Sequence, residues 1–205
     1  MALRTRFVKY VFLLLLAGAI LATAAALSRG FSARSEPTAA EAFVARQLRH
    51  LAVPIAARQM PNPVADSPEV ITEAMEHFAD HCAFCHSNDG SGNTPIGKGL
   101  FPKAPDMRQS STQDLSDGEL YYIIHNGVRF TGMPAFGADN PERQDEDSWK
   151  LVRFIRHLPQ LTDDELARMK ELNPKTPADL KEEEEIQKFL EGGDTPPSGE
   201  GHHHH

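Results

Sequence analysis

Cys82 and Cys85 are the only cysteines in this 205-residue chain, and His86 follows directly in the run HCAFCH. Two thiols separated by two residues lie on one side of a helical turn, where each can add to a porphyrin vinyl group and form a thioether. An imidazole next in the chain is then held against the iron on that same face. Cys-x-x-Cys-His is the attachment pattern of haem c. Three other chemistries fit less well. A structural zinc site takes four ligands, usually from two such pairs, and the chain has no second pair. A thioredoxin-like dithiol belongs beside a βαβ pattern, and no strand pattern flanks this motif. A disulfide across two residues closes too small a loop to stabilise much.

The second axial position of such an iron decides what it does. Met107, His125, Met133 and His157 lie downstream of the motif. Met133 stands in TGMPAFG, where Gly132 and Pro134 fix the backbone on either side of an exposed thioether. A methionine among loop formers is an odd choice for core filling. His125 precedes Asn126 and Gly127 and reads as a polar residue at a helix C-terminus, where the dipole favours a cation. His157, after Arg156 at another helix end, reads the same way. Met107, in APDMRQ, reads as packing against the porphyrin. Met133 is therefore the expected ligand opposite His86, and a His/Met iron has a raised reduction potential.

These residues must be positioned by helices. Ser67 and Pro68 open one that carries Ile71, Ala74, Met75 and Phe78 on one face and runs into Cys82. The stretch from Ser87 to Ser111 is rich in Gly, Pro, Ser and Asn, and a segment this long and irregular signals a functional loop or a bound group that organises it. Ser116 and Glu119 stand at capping-box spacing before a helix that stops at Gly127. A further helix bears Trp149, Val152, Ile155 and Leu158 and ends at Pro159. Thr162 and Glu165 repeat the capping box for a short helix through Leu172. About three core helices are few for a domain of this size, so a large apolar group is expected in the middle. The fold class is all-α.

The N-terminus holds Arg4, Arg6 and Lys9, then an apolar run from Tyr10 to Leu27 without a charge. Its 18 residues rise roughly 27 Å as a helix, near the thickness of a hydrocarbon core. ATAAAL offers small-residue cleavage sites of a signal peptide, but the run is long for one and reads better as an anchor. The basic end then stays in the cytoplasm, and all that follows is exported. Residues 36–52 are an amphipathic helix with Phe43, Val44, Gln47, Leu48 and Leu51 on one face. Beside an apolar segment this pattern fits a helix on the membrane surface; a helix packed on the following domain would show the same pattern. MPNPVADSP then reads as a proline-rich linker. Residues 1–67 carry a net charge of +5, residues 68–161 of −6 and residues 162–205 of −7. An acidic body excludes nucleic acid as a natural partner and suits a redox protein with a basic docking face. The four histidines that end the chain are assigned no site, because a terminal run after glycine also looks like an added tag.

HCAFCH, APDM, GMPAF and the Trp149 helix together resemble the class I c-type cytochromes of the bacterial monohaem kind, over residues 68–160. The N-terminal extension is similar to that of membrane-bound members. The resemblance implies a cytochrome c-like fold around one covalently bound haem c, with Pro105 giving its carbonyl to the His86 imidazole. It also implies a departure, since Ala74 stands where the family often has glycine at a helix crossing. The organisation expected is an anchor or signal segment (1–35), an amphipathic helix and linker (36–67), the haem domain (68–160) and an acidic helical extension with a disordered tail (161–205). The function expected is electron transfer by a non-enzymatic, membrane-tethered protein of the bacterial inner membrane that faces the periplasm. It would be a free carrier or a cytochrome subunit of a respiratory or dehydrogenase complex. The alternative is a five-coordinate haem peroxidase or gas sensor, which requires that Met133 not bind the iron.

Overall fold

The computed structural model describes residues 2–28, 30, 32–33, 35–137, 145–175 and 177–190, and among them every regular element is helical. The expected disordered tail and its histidines lie outside the described residues. In chain order the helices are α1 (Ala2–Ser28), α2 (Ala39–Ala52), α3 (Ile55–Arg58), α4 (Pro68–His77), α5 (Ala83–His86), α6 (Pro95–Gly99), α7 (Ser110–Gln113), α8 (Asp117–Asn126), α9 (Glu146–His157), α10 (Asp163–Leu172) and α11 (Pro177–Leu190). A π-helical stretch, Phe78–Cys82, joins α4 to α5, and a 3₁₀ turn, Leu158–Gln160, follows α9.

Local chemistry sets where the core helices start. The Ser67 hydroxyl accepts from the Val70 N–H, and Pro68 occupies the first turn of α4, where its missing N–H costs nothing. Ser116 and Glu119 close a reciprocal capping box on α8, and Thr162 and Glu165 close another on α10. The Asp145 carboxylate caps α9, accepting from the Asp147 and Ser148 N–H groups and from the Ser148 hydroxyl at 2.6 Å.

Helices α4, α8 and α9 bury one shared core. The Phe78 and Phe154 rings meet at 5.0 Å, and Tyr121 of α8 stacks on Trp149 of α9 at 4.1 Å. Ala74 is buried in this core. Two elements placed outside the domain on sequence come back to it. Met169 of α10 is fully buried in the same core, with Leu161 and Leu172 packed beside it. The proline-rich stretch before α4 is laid along the domain, with Met60 and Val64 against the core. Its polar atoms close the contact, because Asn62 donates to the Trp149 carbonyl at 3.0 Å and Arg153 donates twice to the Val64 carbonyl.

Within α1, Arg6–Ala25 is a 20-residue span of mean hydropathy 2.1, none of it buried. That is long and apolar enough to cross a membrane. In helix α11 every described side chain but that of Glu185 is exposed.

Candidate functional site

The CAFCH residues sit where the helix changes pitch. The π-helical stretch ends at Cys82, and Ala83 to His86 make one final α-helical turn, α5. Such a π turn adds a residue to the helical circuit and is frequent at functional sites. It places Cys82 against the core and leaves Phe84 exposed. Both thiols are free. Burial pushes the Cys82 thiol up to about 12, with the neighbouring Cys85 adding to the rise, and burial raises Cys85 as well. Reactive dithiols of the thioredoxin kind depend on a lowered thiol value, so this environment argues against that chemistry.

His86 is partly enclosed, and its Nδ1 is buried without a hydrogen bond. Burial lowers the imidazole below its ordinary value, against a weaker opposite pull from the Pro105 carbonyl. That carbonyl faces the ring, but no well-aligned hydrogen bond joins them.

Residues 87–109 fold back over α5 and so carry Pro105 to the histidine. Ser87 turns the chain with φ +63°, and its N–H reaches the Ala83 carbonyl at 2.7 Å. The Gly92 N–H caps the His86 carbonyl at 2.7 Å, and the Thr94 hydroxyl reaches the Cys85 carbonyl at 3.2 Å. The Ala104 N–H donates to Gly97 at 3.0 Å and the Met107 N–H to Gly90 at 2.8 Å. Two glycines permit this closeness. Gly92 has φ +71° and lies against the Ala104 carbonyl, while a methyl group at Gly97 would strike the Cys85 carbonyl oxygen. Arg108 pins the loop's end, bonding both Asp106 oxygens at 2.8 and 2.9 Å and Asp89 at 3.1 Å. Its hydrogen bonds hold the Asp106 carboxyl down at about 2.

Met133 lies in the loop after α8, partly buried against the same core as Cys82. Its backbone is fixed at both ends: the Val128 N–H donates to the Met133 carbonyl at 3.1 Å, and the Met133 N–H donates to the Thr131 hydroxyl at 3.1 Å. The Phe136 and Gly137 N–H groups then tie the loop to the Ile124 and His125 carbonyls of α8.

The other candidates go elsewhere. His157 bonds Glu165 at 2.8 Å. His125 is half-buried, stacked on Tyr121 at 5.4 Å and 3.6 Å from Asp145, with its Nδ1 short of a true hydrogen bond. Met107 is buried in the core. Sequence reasoning passed over Thr94, Arg108 and the Asp89–Asp106 pair. Thr94 before Pro95 carries a readable signal, a capping residue followed by proline at the first helical position. Arg108 carries none, since Asp89 is brought to it only by the fold.

The site fits the group that the motif calls for. Two thiols share a helical turn with an imidazole whose buried ring nitrogen has no partner, and a thioether is presented by a loop braced at four points. No curated protein matches the chain. A family model described as cytochrome c oxidase, cbb3-type, subunit III, matches residues 69–155. Residues 69–155 are thus a class I c-type cytochrome domain, of a kind that carries a covalently bound haem c.

Proposed function

We propose that Cys82 and Cys85 are the attachment points of the haem and that His86 and Met133 are its axial ligands. The observation that carries this is the α5 turn, which presents both free thiols and the His86 ring together. Each thiol would add its S–H across one vinyl group of the haem, giving two thioethers. The bound group supplies a single-electron Fe(II)/Fe(III) couple. The chain's own residues do the rest. The Pro105 carbonyl, which faces the His86 ring, would accept from its second nitrogen and fix its orientation, as an imidazole ligand needs. The braced 128–137 segment offers the Met133 sulfur from a loop that cannot readily swing away. With His86 and Met133 both holding the iron, small ligands would have no position to enter, and the role would be electron transfer rather than oxygen or peroxide chemistry.

The reading extends to location. Arg4, Arg6 and Lys9 precede the apolar span, so the positive-inside bias keeps them in the cytoplasm and sends the haem domain to the periplasmic side of a bacterial inner membrane. The protein then works as a tethered carrier or as the cytochrome subunit of a respiratory complex. The description of the matching family, a subunit of an oxidase, supports the second form.

Carbon monoxide added to the dithionite-reduced protein tests the ligand set. The wild type should show no spectral change, and Met133→Ala should convert to a carbonyl complex. Immediate conversion of the wild type would mean an open iron and would turn attention to peroxidase or sensor chemistry.

A further inference from the structure

Helix α2 is mounted inside out. An amphipathic helix beside a folded domain normally turns its apolar stripe inward. Here the side that meets the haem domain is the polar one. Ala42 and Arg49, within about 20° of each other around the axis, are the partly buried positions of α2, and no residue of α2 is buried. The His50 Nδ1 donates to the Glu119 carboxylate of α8 at 2.9 Å, and Val53, just past the helix, is buried. Arg58 reinforces the join by bonding the Val53 carbonyl and both the ring and the carbonyl of His50. The Ser116 hydroxyl bonds the Arg58 carbonyl at 2.8 Å.

Of Phe43, Val44, Leu48 and Leu51, the last three lie within about 60° of one another on the opposite side, and Phe43 borders that face, about 20° from His50. Their exposures are 56, 52, 60 and 71 %. Ile55, the first residue of α3, is equally bare at 69 %. A contiguous apolar face of this kind marks a surface that something else covers.

We infer that the cover is the lipid bilayer: α2 lies in the headgroup region with Phe43, Val44, Leu48 and Leu51 in the acyl boundary, and its polar side carries the haem domain through Arg49, His50 and Glu119. This inference rests on reading α1 as a membrane span. Only ten residues separate Ser28 from Ala39, a tether of at most about 35 Å when fully extended. Helix α2 is thereby confined close to the membrane surface. The haem domain is then clasped at the surface and not left to swing on a leash. The N-terminal end of α8 is held at the interfacial helix, and the Met133 loop follows the other end.

The test is spin-label accessibility in the full-length holoprotein, reconstituted into vesicles of phosphatidylethanolamine and phosphatidylglycerol. Single nitroxide labels go on Leu48→Cys and Leu51→Cys, with Leu13→Cys in α1 and Gln59→Cys in the strap of residues 53–66 between α2 and α4 for reference. The chain without an added cysteine controls for labelling at Cys82 and Cys85. Labels at 48 and 51 should gain oxygen collisions and lose collisions with a water-soluble nickel chelate relative to 59, approaching the behaviour of 13. If 13 is in lipid while 48 and 51 behave like 59, the interfacial helix is overturned and the anchor stands. Shielding of 48 and 51 from both reagents would mean a protein cover, a second copy or another chain, and would equally overturn it. A water-exposed label at 13 would remove the anchor and the inference together.

Discussion

Asp106 shows how single residues hold this site. Its hydrogen bonds from Arg108 come first among the influences on it, and they leave its carboxyl at about 2 in the folded protein. An unfolded aspartate titrates near 4. The folded value is the lower one, so ionisation favours the fold. That contribution is complete above about pH 4 and disappears as the pH falls through about 2. Asp106→Asn should therefore weaken the protein at neutral pH and flatten the acid limb of its stability profile, read by circular dichroism against pH. Gly97 constrains the site by size alone. A side chain there would meet the Cys85 and Gly92 carbonyl oxygens before the Thr94 hydroxyl, and both carbonyls belong to the backbone around the haem turn. Gly97→Ala should cost at least about 2 kcal/mol in chemical denaturation and should lower the fraction of chain that retains haem.

At the scale of elements, the joint between α3 and α8 is the point where one atom decides a docking. Gly118 lies against the Ala57 carbonyl, with no room for a methyl group. Gly118 is near the start of α8, two residues from the Ser116 cap that bonds Arg58. Gly118→Ala should push the 53–66 strap away from the domain at a cost of about 1–3 kcal/mol. Limited proteolysis is the direct readout, with new cuts between residues 53 and 66 while the haem spectrum stays unchanged. Preserved resistance to cleavage would show that α3 can shift without releasing the strap. Glu119 serves the same joint from the side-chain direction. Burial alone would raise its carboxyl, but the hydrogen bonds from Ser116 and His50 outweigh that and hold it below the usual carboxylate range. One carboxylate thus closes the α8 capping box and receives α2.

For the whole molecule, charge is divided between a basic N-terminal third and an acidic body and extension. A redox partner with a basic face would be steered to such a body by long-range attraction. The Debye length falls from about 30 Å at 0.01 M salt to about 8 Å at 0.15 M. The second-order rate of electron exchange with a basic partner protein should drop about tenfold or more across that range, in stopped-flow measurements at the haem absorption band. A rate indifferent to salt would mean that the acidic surface takes no part in docking.

The haem-attachment motif and the starts of the core helices were legible in the chain alone. The Cys82–Cys85–His86 spacing works within a single helical turn, and a local motif survives in the sequence because its partners are neighbours in the chain. The caps at Ser67, Ser116 and Thr162 are local in the same way, as is the apolar run of α1, which depends only on composition. What the tertiary structure decided is everything that joins residues distant in sequence. The Arg108–Asp89 bond spans 19 positions and the Asn62–Trp149 bond spans 87. Neither leaves a pattern in the chain, because a hydrogen bond constrains the position of its partner in space and not its place in the sequence. The orientation of α2 was undecided for the same reason. Its periodicity defines an apolar face, but only the contacts of His50 and Arg58 with the domain show that this face points away from the protein.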